Sequence, residues 1–327
     1  MARTLLVVFA GVERPGRASR CVVQGRRSIF VAVIASVTVA VSAPPAVSQG
    51  IDRAVVARGA AASFAAARFA ANGGIVARDI SFPQCVGSMP RVRGATLGVL
   101  GANNGTSYTR NPCLVTELAW AKRLPGAPAF YANTANPGPG HSAHWPLGQS
   151  APRVCTASDP NSSGCSYDYG WNAALQSFAV AADAAQRLHH VDRANARYRA
   201  ANVDWWLDVE TMNSWQAVEG HATATAQRRD VATLVGEIDA LRSAGVARVG
   251  AYSTAYQWNL ITGGTNLTHR TFADIPQWLA GYESHTAATA GCGDRGFTSG
   301  PVVMTQYLGR DGFDADVLCT SSGGDGD

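Results

Sequence analysis

The sequence predicts an α/β chain that closes as a TIM-like (β/α) barrel, and three observations carry that prediction. From Gly73 onward, short β-branched runs alternate with helical patterns, which argues for a parallel sheet with crossover helices. The alternation repeats more often than an open sheet needs. No Gly-x-Gly-x-x-Gly turn follows an early strand, so the rival architecture, a doubly wound sheet, lacks its phosphate-binding loop. With 327 residues, 46% of them apolar, the chain can bury one large core. Barrels of roughly 200–250 residues commonly stand as one domain.

Residues 1–49 read as a secretory leader. Arg26–Arg27 precede an apolar run from Ile29 to Val41, and Ser42–Ala43–Pro44–Pro45–Ala46 supply the small-residue exit. The run is short for a membrane span; an uncleaved anchor is the competing reading. It also sits far from Met1, which makes a downstream start the alternative. The arginine pair suggests the twin-arginine route, although its flanks match that route poorly. Residues 50–72, rich in alanine and arginine, form a linker or pro-segment. The barrel itself spans 73–320, and 321–327 is a flexible tail.

Within the barrel, strands are expected at Ile75–Ile80, Ala95–Gly101, Ala127–Asn133, Val203–Val209, Val246–Ser253, Pro276–Gly281 and Pro301–Tyr307. The second ends in Asn103–Asn104–Gly105, a turn signal. Pro112–Leu124 reads as a helix whose early proline loses no needed N–H. Tyr167–Leu188 places Trp171, Leu175, Phe178, Ala182 and Leu188 near one face. Thr225–Ser243 is amphipathic and ends at Gly245, a C-terminal stop. The polar stretch 134–165 is longer than an idle connection, so it is expected to be functional or pinned.

Charge and cysteine content narrow the function. Of 27 basic and 23 acidic residues, six arginines and Glu13 fall in the leader, leaving 21 against 22. Lys122 is the sole lysine. A nucleic-acid partner would need a basic footprint and is excluded on this ground. Cys21 lies in the leader; Cys85, Cys113, Cys155, Cys165, Cys292 and Cys319 remain. An even count behind a leader favours disulfides in an oxidising compartment. Sequence proximity suggests 85–113, 155–165 and 292–319. No Cys-x-x-Cys pair supports zinc, and His141-x-x-His144 reads as ordinary loop histidines. His189–His190 ends a helix, where positive charge suits the dipole. Neither Gly263–Gly264 nor Gly323–Gly324 reads as a phosphate loop, and no Gly-x-Ser-x-Gly elbow occurs. The expectation is therefore no metal and no cofactor.

The chemistry concentrates in Val203–Asp204–Trp205–Trp206–Leu207–Asp208–Val209–Glu210. Alternate residues of a strand face opposite sides. Val203, Trp205, Leu207 and Val209 suit packing beneath helices; Asp204, Trp206, Asp208 and Glu210 then point inward. Inward carboxylates are costly unless paired or used. Asp208 and Glu210 stand where the strand yields to a loop, the rim where barrel enzymes work. Two such carboxyls, with Cβ atoms about 6.5–7 Å apart, suit glycoside hydrolysis, which needs a proton donor and an ionised partner.

Several segments, in order, resemble the family 25 glycoside hydrolases, lysozymes that cleave the peptidoglycan glycan. The Asp208–Val209–Glu210 strand end is similar to that family's Asp-x-Glu strand. Arg78–Asp79–Ile80–Ser81 resembles its first strand. Val249–Gly250–Ala251–Tyr252–Ser253 with Trp258 resembles its Gly-x-Tyr strand and following helix. Ile275 to Tyr282 is similar to its Pro-x-Trp-x-Ala-x-Tyr strand, and Thr305–Gln306–Tyr307 with Phe313–Asp314–Ala315–Asp316 to its closing segments. The resemblance covers roughly residues 74–319.

It implies a flattened barrel, a secreted or envelope location, and a polysaccharide substrate such as peptidoglycan. It implies Glu210 as general acid and Asp208 as the group that steadies the oxocarbenium-like centre or orients the N-acetyl group. Asp79 and Asp314 would orient water or substrate, with Asp316 the less favoured of the late aspartates. Tyr131, Tyr252, Trp278 and Tyr307 would offer faces for sugar rings or simply pack the barrel. Three departures lie at the rim. Phe82–Pro83–Gln84–Cys85 stands where the family continues with a His-Trp pair, and Tyr131–Ala132–Asn133 replaces a Tyr-His-aromatic end. The segment from Thr134 to Asn202 is also long. They motivate an alternative: a non-catalytic glycan-binding barrel of the cell envelope.

Overall fold

The computed structural model describes residues 76–92, 94–219, 222–264 and 270–319. The leader at 1–49, the linker at 50–72 and the tail at 321–327 lie outside them. Eight strands close a barrel in sequence order: β1 (Val76–Ile80), β2 (Ala95–Gly101), β3 (Ala129–Asn133), β4 (Trp205–Asp208), β5 (Val249–Ser253), β6 (Gln277–Tyr282), β7 (Val302–Leu308) and β8 (Asp314–Leu318). The helices are α1 (Leu114–Ala121), α2 (Ser163–His189), α3 (Arg193–Ala201), α4 (Gln216–Glu219), α5 (Ala224–Ser243), α6 (Ala255–Thr262), α7 (Arg270–Ala273) and α8 (His285–Gly291).

The expectation of an all-parallel sheet needs one correction. Strands β1 to β7 run parallel, but β8 is antiparallel to both β7 and β1. The turn between β7 and β8, closed by Gly309 N donating to Phe313 O at 2.8 Å, is too short for a crossover helix. A tight turn can only send the chain back antiparallel. The sequence of β8, with Asp314 and Asp316 in five residues, conceals a strand behind acidic side chains.

Helix α2 starts a turn earlier than its apolar stripe because Ser162 caps it, accepting from Cys165 N. It packs against α5 so tightly that a Cβ at Gly170 would meet Thr233 O at 2.1 Å, and one at Gly236 would meet Tyr167 O at 2.1 Å. Only glycine allows that approach.

The alternation read in β4 is realised. Trp205, Leu207 and Val209 join the outer core with Phe130, Phe178, Leu234 and Leu241, beneath the helices. Trp206 joins the inner core with Ala77, Leu97, Val99, Ala129, Trp278, Met304 and Leu318. Burying each large apolar side chain stabilises the fold by roughly 1.5–3 kcal/mol. Asp204, the third inward carboxylate expected, is satisfied by an ion pair with Arg248 at the strand's opposite end.

Disulfides join Cys85–Cys113, Cys155–Cys165 and Cys292–Cys319, the proximity pairing. The second pins the 134–165 loop, which lies along α2: Gln149 Oε1 accepts from Asn172 Nδ2 at 2.8 Å, and Asp168 Oδ1 accepts from Arg153 N at 2.9 Å. Among the described residues, no helix is long and apolar enough to cross a membrane.

Candidate functional site

Strand register builds the site. Asp208, the last residue of β4, lies opposite Asn133 of β3 on one side and Tyr252 of β5 on the other. Tyr252 in turn lies opposite Trp278 of β6. Because β8 runs antiparallel, its first residue, Asp314, pairs with Leu308 at the end of β7 and so reaches the same rim.

Asp208 is 5% exposed. Its Oδ2 accepts from the Asn133 side-chain amide, and its backbone oxygen accepts from Thr134 Oγ1 at 2.7 Å. Oδ1 finds no donor among the other protein groups. Burial first, and then the charge of the neighbouring Glu210, pushes Asp208 well above the usual carboxylate range. Glu210 is half-buried just past the strand. Its backbone oxygen accepts from Trp215 Nε1 at 2.9 Å, which fixes the start of the rim loop. Burial raises Glu210 too, against hydrogen bonds from Gln257 and from Asp208 that favour its charged form. Two carboxyls this close cannot both ionise cheaply, so the charge of each raises the other.

A second carboxyl pair lies across the barrel. Asp79 is pushed up to about 7, by burial first and then by the charge of Asp314. Its Oδ2 accepts from Gln306 Nε2 at 3.2 Å, while Gln306 Oε1 accepts from the Tyr252 hydroxyl at 2.7 Å. Asp316 is fully buried beneath; its Oδ1 accepts from Trp278 Nε1 at 2.9 Å. Burial and the neighbouring Asp79 hold Asp316 well above its ordinary range, and Asp316 hydrogen-bonds to Asp79. Asp314 is exposed at the rim, raised by burial of its carboxyl and lowered by the Arg78 guanidinium. Arg78 also pairs with Asp311 at 3.0 Å.

The structure therefore gathers Asp79, Asp208, Glu210 and Asp314 into one electrostatically linked group, and adds Asp316 as its buried member. The four aromatic candidates divide. Trp278 is 2% exposed, its ring 4.5 Å from Tyr252, 5.8 Å from Trp206 and 6.3 Å from Tyr131 by centroids. That position makes it part of the floor. Tyr131, Tyr252 and Tyr307 are half-buried, and Tyr307 stands edge-on to His285 at 5.5 Å.

Three side chains at this site are not among the site residues the sequence predicts. Asn133 ends β3 and Gln306 lies within β7, both on inward-facing positions, where a polar residue is itself a signal. Gln257 offers none. It lies in α6, where Thr254 caps the helix by accepting from Gln257 N, and its Oε1 accepts from Thr211 N at 2.6 Å and Thr211 Oγ1 at 2.9 Å. Among the described residues, no group of three or more His, Cys, Asp or Glu side chains is arranged to hold a metal ion.

No protein-family model matches this chain, and no curated protein matches it. Among solved structures, it is similar to a muramidase from Trichobolus zukalii at 19% identity and a TM-score of 0.45, over 76% of this chain and 95% of that one. A muramidase from Acremonium alcalophilum gives 18% identity and 0.47, over 76% and 95%. The bacterial lysozyme from Streptomyces coelicolor gives 16% identity and 0.45, over 77% and 94%.

Proposed function

We propose that this barrel is a secreted glycosidase acting on a cell-wall polysaccharide, and that its reaction is N-acetylmuramidase cleavage of peptidoglycan. The observation that carries the reading is the Asp208–Glu210 pair: two adjacent carboxyls at a barrel rim, one buried and one half-exposed, each raised by burial. Glycosidic cleavage requires a carboxylic acid for the leaving oxygen and a carboxylate for the cationic sugar. The ordered motifs that resemble family 25 point to the same chemistry.

Glu210 is the general acid, being the member that substrate can reach. When the glycosidic oxygen takes its place beside Glu210, the proton of the Glu210 carboxyl moves to that oxygen as the bond to the anomeric carbon breaks. Asp208, as the carboxylate, faces the developing positive charge or holds the N-acetyl group against it. Asp79 and Asp314 orient water or substrate opposite, and their charges favour the protonated form of the pair. Tyr131, Tyr252 and Tyr307 line the sugar path, above the Trp278 floor. The leader and the three disulfides fit an oxidising, extracellular setting.

The test is digestion of purified peptidoglycan with product analysis. Wild type should release muramic-acid reducing ends, and Glu210→Gln should lose turnover by about 10²–10⁴-fold while folding normally. Absence of new reducing ends from peptidoglycan and related glycans with the wild type would overturn the proposal. Tight glycan retention without hydrolysis, unaffected by Glu210→Gln, would instead establish the binding-barrel alternative.

A further inference from the structure

The two strands that meet at the acid pair are matched again beyond it. Asn133 of β3 lies opposite Asp208 of β4, and further on Asn136 forms an isolated parallel bridge with Trp215. Between these pairings one chain advances three residues, from 133 to 136, and the other seven, from 208 to 215. The surplus chain arches outward, and Glu210 sits on that arch. Its base is closed by Asn136 N donating to Ser214 O at 2.8 Å and by Gln216 N donating to Asn136 O at 3.1 Å. Each of the two segments also holds one acid by its backbone. Thr134 Oγ1 donates to Asp208 O at 2.7 Å, and Trp215 Nε1 donates to Glu210 O at 2.9 Å.

One buried carboxyl locks this base from outside the site. Asp230 belongs to α5 and is fully buried. Its Oδ1 accepts from Asn136 Nδ2 at 2.8 Å, and its Oδ2 accepts from Ala217 N, in the first turn of α4, at 2.9 Å. Gln216 Nε2 donates to Asn136 Oδ1 at 3.1 Å, and Asn136 Nδ2 makes a longer contact with Ser166 Oγ at 3.4 Å. Burial pushes Asp230 up to about 7, against the donors from Ala217, Asn136 and Gln216. A carboxyl is costly to bury unless donors compensate it. Here those donors come from the two segments at the base of the arch and not from α5, so the effect of the carboxyl is to join them.

We infer that Asp230 is a positioning residue for the acid pair: by clamping Asn136 to the first turn of α4 it closes the arch and sets where Glu210 stands relative to Asp208. It acts through two observed chains of hydrogen bonds. One runs from Asp230 through Asn136 to the segment whose Thr134 holds Asp208. The other runs from Asp230 through Ala217 to the segment whose Trp215 holds Glu210. Without the carboxyl, Asn136 Nδ2 and Ala217 N lose their closest acceptor, and the bridge between Asn136 and Trp215 loosens. The consequence that reaches the chemistry is release of Trp215 Nε1 from the Glu210 backbone.

The inference rests on the proposed role of Asp208–Glu210, so its test reads out without turnover as well as with it. The variants are Asp230→Asn, which keeps the shape and one acceptor but sets an amide against Asn136 Nδ2, and Asn136→Ala, which leaves the Asp230 bond to Ala217 in place. The first measurement is hydrogen exchange of tryptophan indole N–H groups in the free protein. Trp205 Nε1, which donates to Ala200 O, and Trp278 Nε1, which donates to Asp316, serve as internal references. The Trp215 indole should exchange about tenfold faster in both variants while the two references stay near wild type. A general loss of stability would instead quicken all three alike. The second measurement is peptidoglycan turnover well below the melting temperature. Here kcat should fall about tenfold in each variant at little-changed KM. Because both variants break one clamp, the combined variant should lie within about twofold of the worse single. A Trp215 exchange rate that moves only with the references overturns the clamp. So does a combined variant whose defects multiply. Faster Trp215 exchange with kcat unmoved overturns the positioning role. Faster Trp215 exchange in a protein whose wild type never cleaves glycan upholds the clamp and sinks the glycosidase reading instead.

Discussion

The side-chain amide of Gln306 donates to Asp79 Oδ2 at 3.2 Å, linking β7 to β1 behind the rim. The same amide accepts from Tyr252 at 2.7 Å, so one glutamine orders two groups that face the acid pair. Gln306→Leu removes both contacts at similar volume. Asp79 loses a donor to its charged form, so it should move above about 7. Tyr252 keeps a buried hydroxyl without a partner, which costs about 1–3 kcal/mol. Turnover should fall by roughly tenfold, and carboxyl titration should show Asp79 ionising later. An unchanged Asp79 titration would remove Gln306 from the site.

Gln257 clamps the rim loop. Its Oε1 accepts twice from Thr211, and its amide favours the charged form of Glu210. Gln257→Ala deletes a donor to the carboxylate, so the Glu210 side of the pair should hold its proton to higher pH. A general acid loses activity as pH rises through its ionisation, so the alkaline limb of the kcat profile should move upward. The loosened loop lowers kcat at the optimum by about three- to tenfold. A pH profile that moved downward would contradict the assignment of Glu210 as the acid.

Stability should fall as pH rises from about 4 to about 7. Asp79, Glu117 and Asp230 are each pushed up to about 7 in the folded protein, chiefly by burial. An acid with a raised folded value binds its proton more tightly folded than unfolded, so its stabilising contribution is complete below the unfolded value. It disappears as pH climbs through the folded value. Denaturant midpoints at pH 5 should therefore exceed those at pH 8. Glu117 is fully buried, with Oε1 unpartnered and Oε2 accepting from Asn111 at 2.6 Å, and it is not one of the carboxyls of the proposed reaction. Glu117→Gln should flatten part of the slope and leave activity near wild type. A midpoint that rose with pH over this range would refute the assignment.

Much of this architecture is legible in the residues, for a physical reason. In β4 the outward set is wholly apolar and the inward set carries the acids, so the barrel's two layers appear directly as alternation. Asp208 and Glu210 stand out because a carboxyl on an inward position is expensive. The same logic fails at β8, where Asp314 and Asp316 in five residues look like a polar turn, although the buried Asp316 is satisfied by Trp278. Helix α3 was likewise missed: its alanines and arginines carry little apolar periodicity, and only the Asp192 cap, accepting from Asn195 N at 2.8 Å, marks it. Gln257 is invisible for another reason. It lies on a helix whose pattern is explained by packing, and only the folded contacts show that it hydrogen-bonds Thr211 and Glu210.

The Cys155–Cys165 bridge separates the two readings of the long loop, as pinned structure or as part of the site. Besides the disulfide, the loop is held by Trp145 Nε1 donating to Pro160 O at 2.7 Å, by the Asn172–Gln149 bond and by the Ser162 cap. Closing a loop of this length stabilises by about 3 kcal/mol at most, in the chain-entropy account. Replacing both cysteines with alanine should therefore lower the melting temperature by several degrees without unfolding the barrel. Only the first residues of the loop meet the site: Thr134 supports Asp208, and Asn136 pairs with Trp215 beyond Glu210. Both are buried and held independently of the bridge, Asn136 through Asp230 at 2.8 Å. Turnover in the double-alanine variant should therefore stay within about threefold of wild type, while amide exchange quickens across 141–162. If activity instead collapsed with the fold intact, the outer loop would have to touch the substrate, and the site would extend beyond the strand ends.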